Sequence, residues 1–154
     1  MKSPKAYRIY LLYSFLTAML FRMVFTVNMV YFVTNAGLDA LQLVLVGTAL
    51  EVSVFLLEIP TGVVADVYSR RLSVIIGVFL VGTGFILTGA APLFIPILLA
   101  QVLWGAGWTF TSGALQAWIS DEIGEEKAAA AFLKGTQVEN WGALVGTGLS
   151  VALA

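Results

Sequence analysis

Long apolar runs separated by short polar or basic segments dominate the chain. The runs cover about residues 7–34, 41–65, 72–91, 93–119 and 138–154. A helix that crosses a bilayer needs about 20 predominantly apolar residues, and its backbone polar groups must be paired within the segment. The pattern therefore predicts an all-α integral membrane protein that crosses the membrane at least four times, with a fifth helix that begins near Val138.

The composition agrees with burial in lipid. Hydrophobic residues make up 60% of the chain and charged residues 11%, whereas a soluble domain is about half apolar and about a quarter charged. The chain contains no Cys and no His, which excludes disulfides, thiolate metal sites and imidazole catalysis here and argues against an enzyme. We expect no cofactor, and a net charge of -1 gives no reason to expect a nucleic-acid partner.

The basic residues predict the orientation. The first apolar run is longer than the roughly 7–15 residues of a cleavable signal segment, so we interpret it as a retained helix. The connections near residues 35–39 and 91–92 contain no Lys or Arg, and every basic residue outside an apolar run falls on the other side of the membrane: Lys2, Lys5, Arg8, Arg70, Arg71, Lys127 and Lys134. Since basic loops stay inside the cell, we predict a multi-pass protein of the plasma or inner membrane with a cytoplasmic N-terminus.

Three charged residues, Arg22, Glu51 and Glu58, lie inside predicted spans and away from their ends. A charge near the bilayer centre costs at least about 2.5–3.5 kcal/mol, so it needs a partner or a wet cavity. At about 1.5 Å per residue, Arg22 and Glu51 come to nearly the same depth, and Glu58 lies about two turns closer to the cytoplasm. We predict that Arg22 pairs with Glu51; both a structural ion pair and a functional one fit the pattern. If a proton is the coupling ion, Glu51 or Glu58 is the candidate carrier.

Polar and small residues recur at helical spacing in the fourth run. We predict that they form one face, turned either toward other helices or toward a cavity. The candidates for lining a cavity are Asn28 in the first run and Gln101, Thr109, Ser112 and Gln116 in the fourth. Most of the glycines of the third and fourth runs are predicted to allow close helix packing: the set is Gly77, Gly82, Gly84, Gly89, Gly105, Gly107 and Gly113.

The connection between the second and third runs is the most specific motif. It reads Gly62-Val-Val-Ala-Asp66-Val-Tyr-Ser-Arg70-Arg71, in which Asp66 can pair with a guanidinium and the two arginines can hold the loop at an anionic leaflet. In this position it resembles the Gly-x-x-x-Asp-x-x-Gly-Arg-Arg signature of the major facilitator superfamily, with Ser69 in place of the second Gly. The lead-in from Glu58 to Gly62 and the segment from Ser112 to Glu122 resemble bacterial efflux members of the tetracycline and macrolide type.

The resemblance implies a twelve-helix secondary transporter made of two six-helix halves, each built from 3+3 inverted repeats, with substrate bound near mid-membrane. On this view the chain is an N-terminal fragment that holds helices 1–4 and the start of helix 5, and the missing C-terminal half is its partner. The resemblance implies a cytoplasmic gate at Gly62, Asp66, Arg70 and Arg71, and efflux of small apolar or amphipathic compounds by alternating access.

Two positions depart from the family pattern. Gln101 stands where many proton-coupled members have Arg, and Gly146-Thr147-Gly148 stands where drug antiporters often have Gly-Pro. The alternative interpretation is a small multi-helix scaffold or subunit without transport activity. A reading frame that continues past Ala154 with further apolar segments would favour the transporter.

Overall fold

The computed structural model describes residues 3–153, and the secondary structure of this range is helical. The chain forms two compact units. The first unit holds the residues up to Tyr31 and those from Trp118 onward, and the second holds Phe32–Ala117. The helices in chain order are α1 (Pro4–Thr34), α2 (Ala40–Val67), α3 (Arg70–Ala90), α4 (Phe94–Thr111), α5 (Ala114–Ile123) and α6 (Glu125–Leu153).

Four segments are long and apolar enough to cross a membrane by length and composition: Pro4–Thr34, Ala40–Val67, Arg70–Ala90 and Phe94–Ile123. Most of their side chains are not covered by other parts of the chain, since between 6% and 28% of each apolar window is buried. Apolar surface of this extent requires lipid or further protein around it. The all-α multi-pass architecture expected from the sequence is confirmed.

Side-chain caps fix the beginnings of α2 and α3. At α2, Gln42 N donates to Asp39 Oδ1 at 2.8 Å and Asp39 N donates to Gln42 Oε1 at 3.0 Å, a reciprocal capping box. At α3, Leu72 N donates to Ser69 Oγ at 3.3 Å. Ser69, which departs from the family motif, therefore satisfies an amide that would otherwise lack a partner at the helix start.

The fourth predicted helix is interrupted. Instead of running from residue 93 to 119, it ends at Thr111 and resumes at Ala114. Gly113 has φ +67° at the break, a backbone conformation that costs side-chain-bearing residues about 1 kcal/mol or more. The helical spacing used to align Gln101 with Gln116 does not continue through this point, so the single polar face predicted for this run is wrong.

The fifth predicted helix begins earlier than the apolar pattern indicated. The sequence predicted that this helix begins near Val138, after the polar residues 120–137. Instead α6 is one continuous helix from Glu125 to Leu153, which starts just after Gly124. Glu125 and Glu126 occupy its first turn, where negative charge is favourable. These two acidic residues therefore belong to the beginning of a helix and not to a loop.

In the second unit, α4 packs against both α2 and α3. A Cβ on Gly107 would lie 2.6 Å from the carbonyl oxygen of Gly77, and one on Gly84 would lie 2.9 Å from that of Ala100. On the α2 side, a Cβ on Gly105 would lie 2.8 Å from Ser53 Cβ. These glycines allow the backbones to approach closely. A Cβ on Gly82, Gly89 or Gly113 would meet nothing within 4 Å, so most of the glycines of these two runs, and not these three, make close contacts.

In the first unit, α1 and α6 run parallel. The residue numbers of the contacting pairs increase along both helices. Tyr10 contacts Gly135, Met19 contacts Gly146, and Ser150 Oγ donates to the Met23 carbonyl at 2.9 Å. Both helices therefore begin at the same end of the unit, as the first and fifth of a series of alternating crossings must. Tyr10 is only 5% exposed, so it packs inside the unit rather than at a membrane interface.

Candidate functional site: an intramembrane cavity lined by α1 and α6

A cavity of about 300 Å³ lies in the first unit along α1 and α6. Its apolar part includes the rings of Phe21 and Phe25, which stack with centroids 6.0 Å apart and an interplanar angle of 21°. Its polar part includes one cationic, one anionic and one amide side chain. The residues that line it are Ala18, Phe21, Arg22, Phe25, Glu139, Asn140 and Ala143.

Glu139 is held from one side by a buried hydroxyl. Ser14 Oγ donates to Glu139 Oε1 at 2.9 Å, and Ser14 is only 2% exposed. Tyr10, one turn before Ser14 on α1, lies close to both residues. Hydrogen bonds to an ionised carboxylate are shorter and stronger than neutral ones, so this pair ties α6 to α1 while leaving further acceptor positions on the carboxylate.

Arg22 lines the same cavity as Glu139. In the described part of the chain the two side chains do not come within the 4 Å that defines an ion pair. The cavity thus brings opposite charges together with an amide and two phenyl rings, a lining that suits a ligand with both polar and apolar parts. Cavities that bind small molecules combine these features.

The predicted partner of Arg22 lies in the other unit. Arg22 belongs to the first unit and Glu51 to the second, and the pairing of these two residues stays a prediction. Within the second unit, Ser53 contacts Gly105 of α4, and Glu51 and Phe55 project from the opposite side of α2, where both are exposed. Glu58 is exposed as well.

The predicted gate motif lies at the α2–α3 connection of the second unit. Asp66 and Arg70 form an ion pair of 3.6 Å, with side-chain exposures of 71% and 37%. Arg71 is exposed at the second position of α3. A Cβ on Gly62 would meet nothing within 4 Å, so the described chain supplies no close packing partner at this glycine.

The remaining candidates do not form one surface. Thr109 is 3% exposed and its hydroxyl donates to the Ala106 carbonyl of the same helix at 2.8 Å; its cavity role stays a prediction. Gln101 is half-buried on α4, while Ser112 and Gln116 are exposed beyond the break that follows Thr111. Asn28 lies on α1, half-buried.

Sequence reasoning missed Ser14, Glu139 and Asn140. Glu139 follows Val138 directly, so the polar segment before it concealed that it belongs to the apolar part of the helix. A signal was nevertheless present, because Gly135, Gly142, Gly146 and Ser150 fall on the same helical face as Glu139. A carboxylate in the middle of a stripe of small residues indicates a helix interface that carries a charge.

These features define a multi-pass helical membrane protein that holds charged side chains beside a cavity within its spans. The Major Facilitator Superfamily matches residues 2–154, and the chain belongs to this superfamily of transporters. The superfamily membership expected from the α2–α3 motif is thus confirmed. Over 119 residues, 75% of this chain, it is 29% identical to YxaM of Bacillus subtilis, described as an uncharacterized MFS-type transporter. The match covers 29% of that protein, so the chain spans less than a third of the relative's length.

Proposed function

We propose that this chain is part of a secondary active transporter that exports small apolar or amphipathic compounds by alternating access, with the proton as coupling ion. The rest of the transporter, including its C-terminal half, is the partner with which this chain forms the transport path. The cytoplasmic gate comprises Gly62, Asp66, Arg70 and Arg71.

The α1–α6 cavity carries this proposal. Its two stacked phenyl rings suit an apolar ring system, and its guanidinium, carboxylate and amide suit the polar part of an amphipathic molecule. Charged side chains inside a membrane are costly and mark substrate or ion pathways. The position of Arg22 at this cavity supports the transporter over the scaffold alternative.

The test is gradient-driven efflux by the full-length protein that contains this chain. We would reconstitute it in liposomes, load a panel of fluorescent amphipathic dyes and impose a pH gradient. We expect dye movement that needs both protein and gradient, and that is lost in Arg22→Gln but kept in Lys134→Gln, which removes an exposed cation from α6. A folded protein that moves none of the dyes under any gradient contradicts the proposal and favours the scaffold.

The predicted Arg22–Glu51 pair has its own test. Arg22→Glu and Glu51→Arg should each abolish transport if the two charges compensate one another, because each single change leaves two like charges in a medium that penalises them. The double exchange should then recover part of the activity. Absence of any recovery contradicts the pairing without affecting the transport proposal.

We also infer that the beginning of α1 faces the cytoplasm of the inner membrane, on the evidence of the basic residues. Because the chain has no Cys, single cysteines report the orientation directly. Asn35→Cys, in the α1–α2 connection, should react with a membrane-impermeant thiol reagent in intact cells. Tyr68→Cys, 77% exposed in the α2–α3 connection, should react only after the membrane is opened. The reverse pattern contradicts the inference.

A further inference from the structure

Arg22 is the charged group of the α1–α6 cavity that a ligand can reach most directly. It lines the cavity, and its side chain is exposed. Among the described residues, no carboxylate oxygen lies within 4 Å of its guanidinium. A guanidinium has five N–H donors and no acceptor, and its planar fork matches the two oxygens of a carboxylate. The cavity therefore offers a ligand a cationic donor group.

The anionic group of the cavity is less accessible. Glu139 is half-buried, and its Oε1 already accepts a hydrogen bond from the buried Ser14 hydroxyl at 2.9 Å. A cationic ligand would have to reach this half-buried carboxylate while lying close to Arg22, which has a charge of the same sign. An anionic ligand is repelled by Glu139 as well, but it reaches the exposed guanidinium without competing with a bond of the protein. The difference in access favours an anion.

The rest of the lining suits the body of an aromatic molecule. The rings of Phe21 and Phe25 stack with an interplanar angle of 21° and so offer an apolar surface beside the guanidinium. Asn140 is exposed at the same cavity, where its amide can donate a further hydrogen bond to an oxygen. A cavity of about 300 Å³ is at the lower end of the range for small-molecule sites, which favours a ligand of one or two rings.

We propose that the α1–α6 cavity binds small aromatic carboxylates, with the carboxylate on Arg22 and the ring body against Phe21 and Phe25. This inference rests on the proposed transport function and narrows its substrates from apolar or amphipathic compounds to amphipathic anions. Glu139 does not bind the ligand in this arrangement, and its negative charge weakens the binding of an anion.

The experiment uses the full-length protein and three radiolabelled probes that differ in one group. All three have a naphthalene ring, which carries a carboxylate, a methyl ester or a trimethylammonium group. Binding is measured by scintillation proximity, and transport is measured separately in liposomes. We expect the carboxylate to bind about tenfold or more tightly than the ester, because hydrogen bonds between charged groups contribute at least that factor. The trimethylammonium probe should bind most weakly.

Four variants assign the preference to individual side chains. Arg22→Gln should lower the affinity for the carboxylate probe to that for the ester and leave the ester unchanged. Arg22→Lys keeps the charge without the fork and should retain part of the preference. Glu139→Gln keeps an acceptor for Ser14 and should raise the affinity for the carboxylate, because it removes a negative charge. Lys134→Gln, which removes an exposed cation that does not line the cavity, should behave as the parent.

The outcomes separate the ligand class from the transport function. A preference for the carboxylate that Arg22→Gln removes supports the proposal. Equal binding of the three probes, or a preference for the cationic one, overturns it and leaves the transport proposal standing if any probe is moved. Selective binding of the carboxylate by a protein that transports no probe supports the ligand class and contradicts the proposed function. If Arg22→Gln fails to fold, Glu139→Gln decides, because a carboxylate affinity that does not rise in this variant contradicts an anion bound beside Glu139.

Discussion

The two units solve the same packing problem with different chemistry. In both, glycines let helices approach until a carbonyl lies where a Cβ would be, as between Gly107 and Gly77 in the second unit and between Gly146 and Met19 in the first. In the second unit the side chain that bonds across helices is neutral: Ser73 Oγ donates to the Phe110 carbonyl at 2.8 Å. In the first unit the same device includes an ionisable acceptor, Glu139.

The difference extends to the placement of charge. The charged groups of the second unit lie on its exposed faces, at Glu51, Glu58 and the Asp66–Arg70 pair. In the first unit Arg22 is exposed as well, whereas Glu139 is half-buried and bonded to Ser14. The helix contact of the second unit is thus made with neutral groups, and that of the first unit includes a carboxylate. The comparison teaches that the stripe of small residues on α6 specifies a helix contact. Glu139, the charged residue in this stripe, is the candidate for a functional role.

The largest effect is expected from a bulky residue at the α1–α6 contact. In Gly146→Leu the new side chain would fall on the Met19 carbonyl, so the backbone must move, at a cost of about 1–3 kcal/mol or more. Gly148→Leu on the same helix is the control, since nothing lies within 4 Å of its Cβ position. Thermal unfolding in detergent should show a large loss for the first variant and little for the second. Equal losses contradict the observed contact face of α6.

A smaller steric change tests the second unit. In Gly107→Ala one methyl group would lie 2.6 Å from the Gly77 carbonyl oxygen and 2.7 Å from Val81 Cγ2, which predicts a loss toward the lower part of the about 1–3 kcal/mol range for overpacking. Gly82→Ala meets nothing within 4 Å and should be neutral or slightly stabilising, because Ala favours the helix. Unfolding temperatures of the two variants decide; a stable Gly107→Ala would show that α3 and α4 can separate at little cost.

The sequence was sufficient for the fold class and insufficient for the site. Long apolar runs indicate segments that contact lipid. They can be recognised in the sequence without knowing which helices pack against each other. The break at Gly113 was not predicted, although the residues there are small and polar (Thr111, Ser112 and Gly113), because hydropathy averaged over a run does not distinguish a straight helix from an interrupted one. The early start of α6 was hidden because its first residues are charged, although Glu125 and Glu126 suit a helix beginning.

The contact between Ser14 and Glu139 could not be predicted for a different reason. The two residues are 125 positions apart, and their meeting depends on α1 lying beside α6, which no local pattern specifies. Arg22 was predicted to pair with Glu51 only because the two residues lie at a similar predicted depth in the membrane. A hydropathy pattern gives depth but not which helices are neighbours. The structure shows that α1 and α6 lie side by side, so that Arg22 and Glu139 line the same cavity.

An intermediate effect is expected from the interhelical hydroxyls. Hydrogen bonds between membrane helices contribute about 0.6 kcal/mol on average and up to about 1.7. Ser14→Ala should fall toward the upper value, because its acceptor is a carboxylate, and Ser73→Ala toward the average. Thermal unfolding of the two variants in detergent tests this, and an equal loss in both would contradict a stronger bond from Ser14 to Glu139.

The smallest effect on stability is expected from the exposed ion pair of the second unit. Asp66→Asn removes the 3.6 Å contact with Arg70, and exposed pairs contribute about 0–1 kcal/mol. Glu126→Gln is the control, since it removes an exposed carboxylate and leaves the Asp66–Arg70 pair intact. Both variants should have unfolding temperatures close to that of the parent. Transport by the full-length protein should nevertheless fall in Asp66→Asn alone if this pair belongs to the gate. If Asp66→Asn loses transport but not stability, the exposed ion pair of the second unit is needed for function. If its transport equals that of the parent, the α1–α6 cavity remains the functional candidate of this chain.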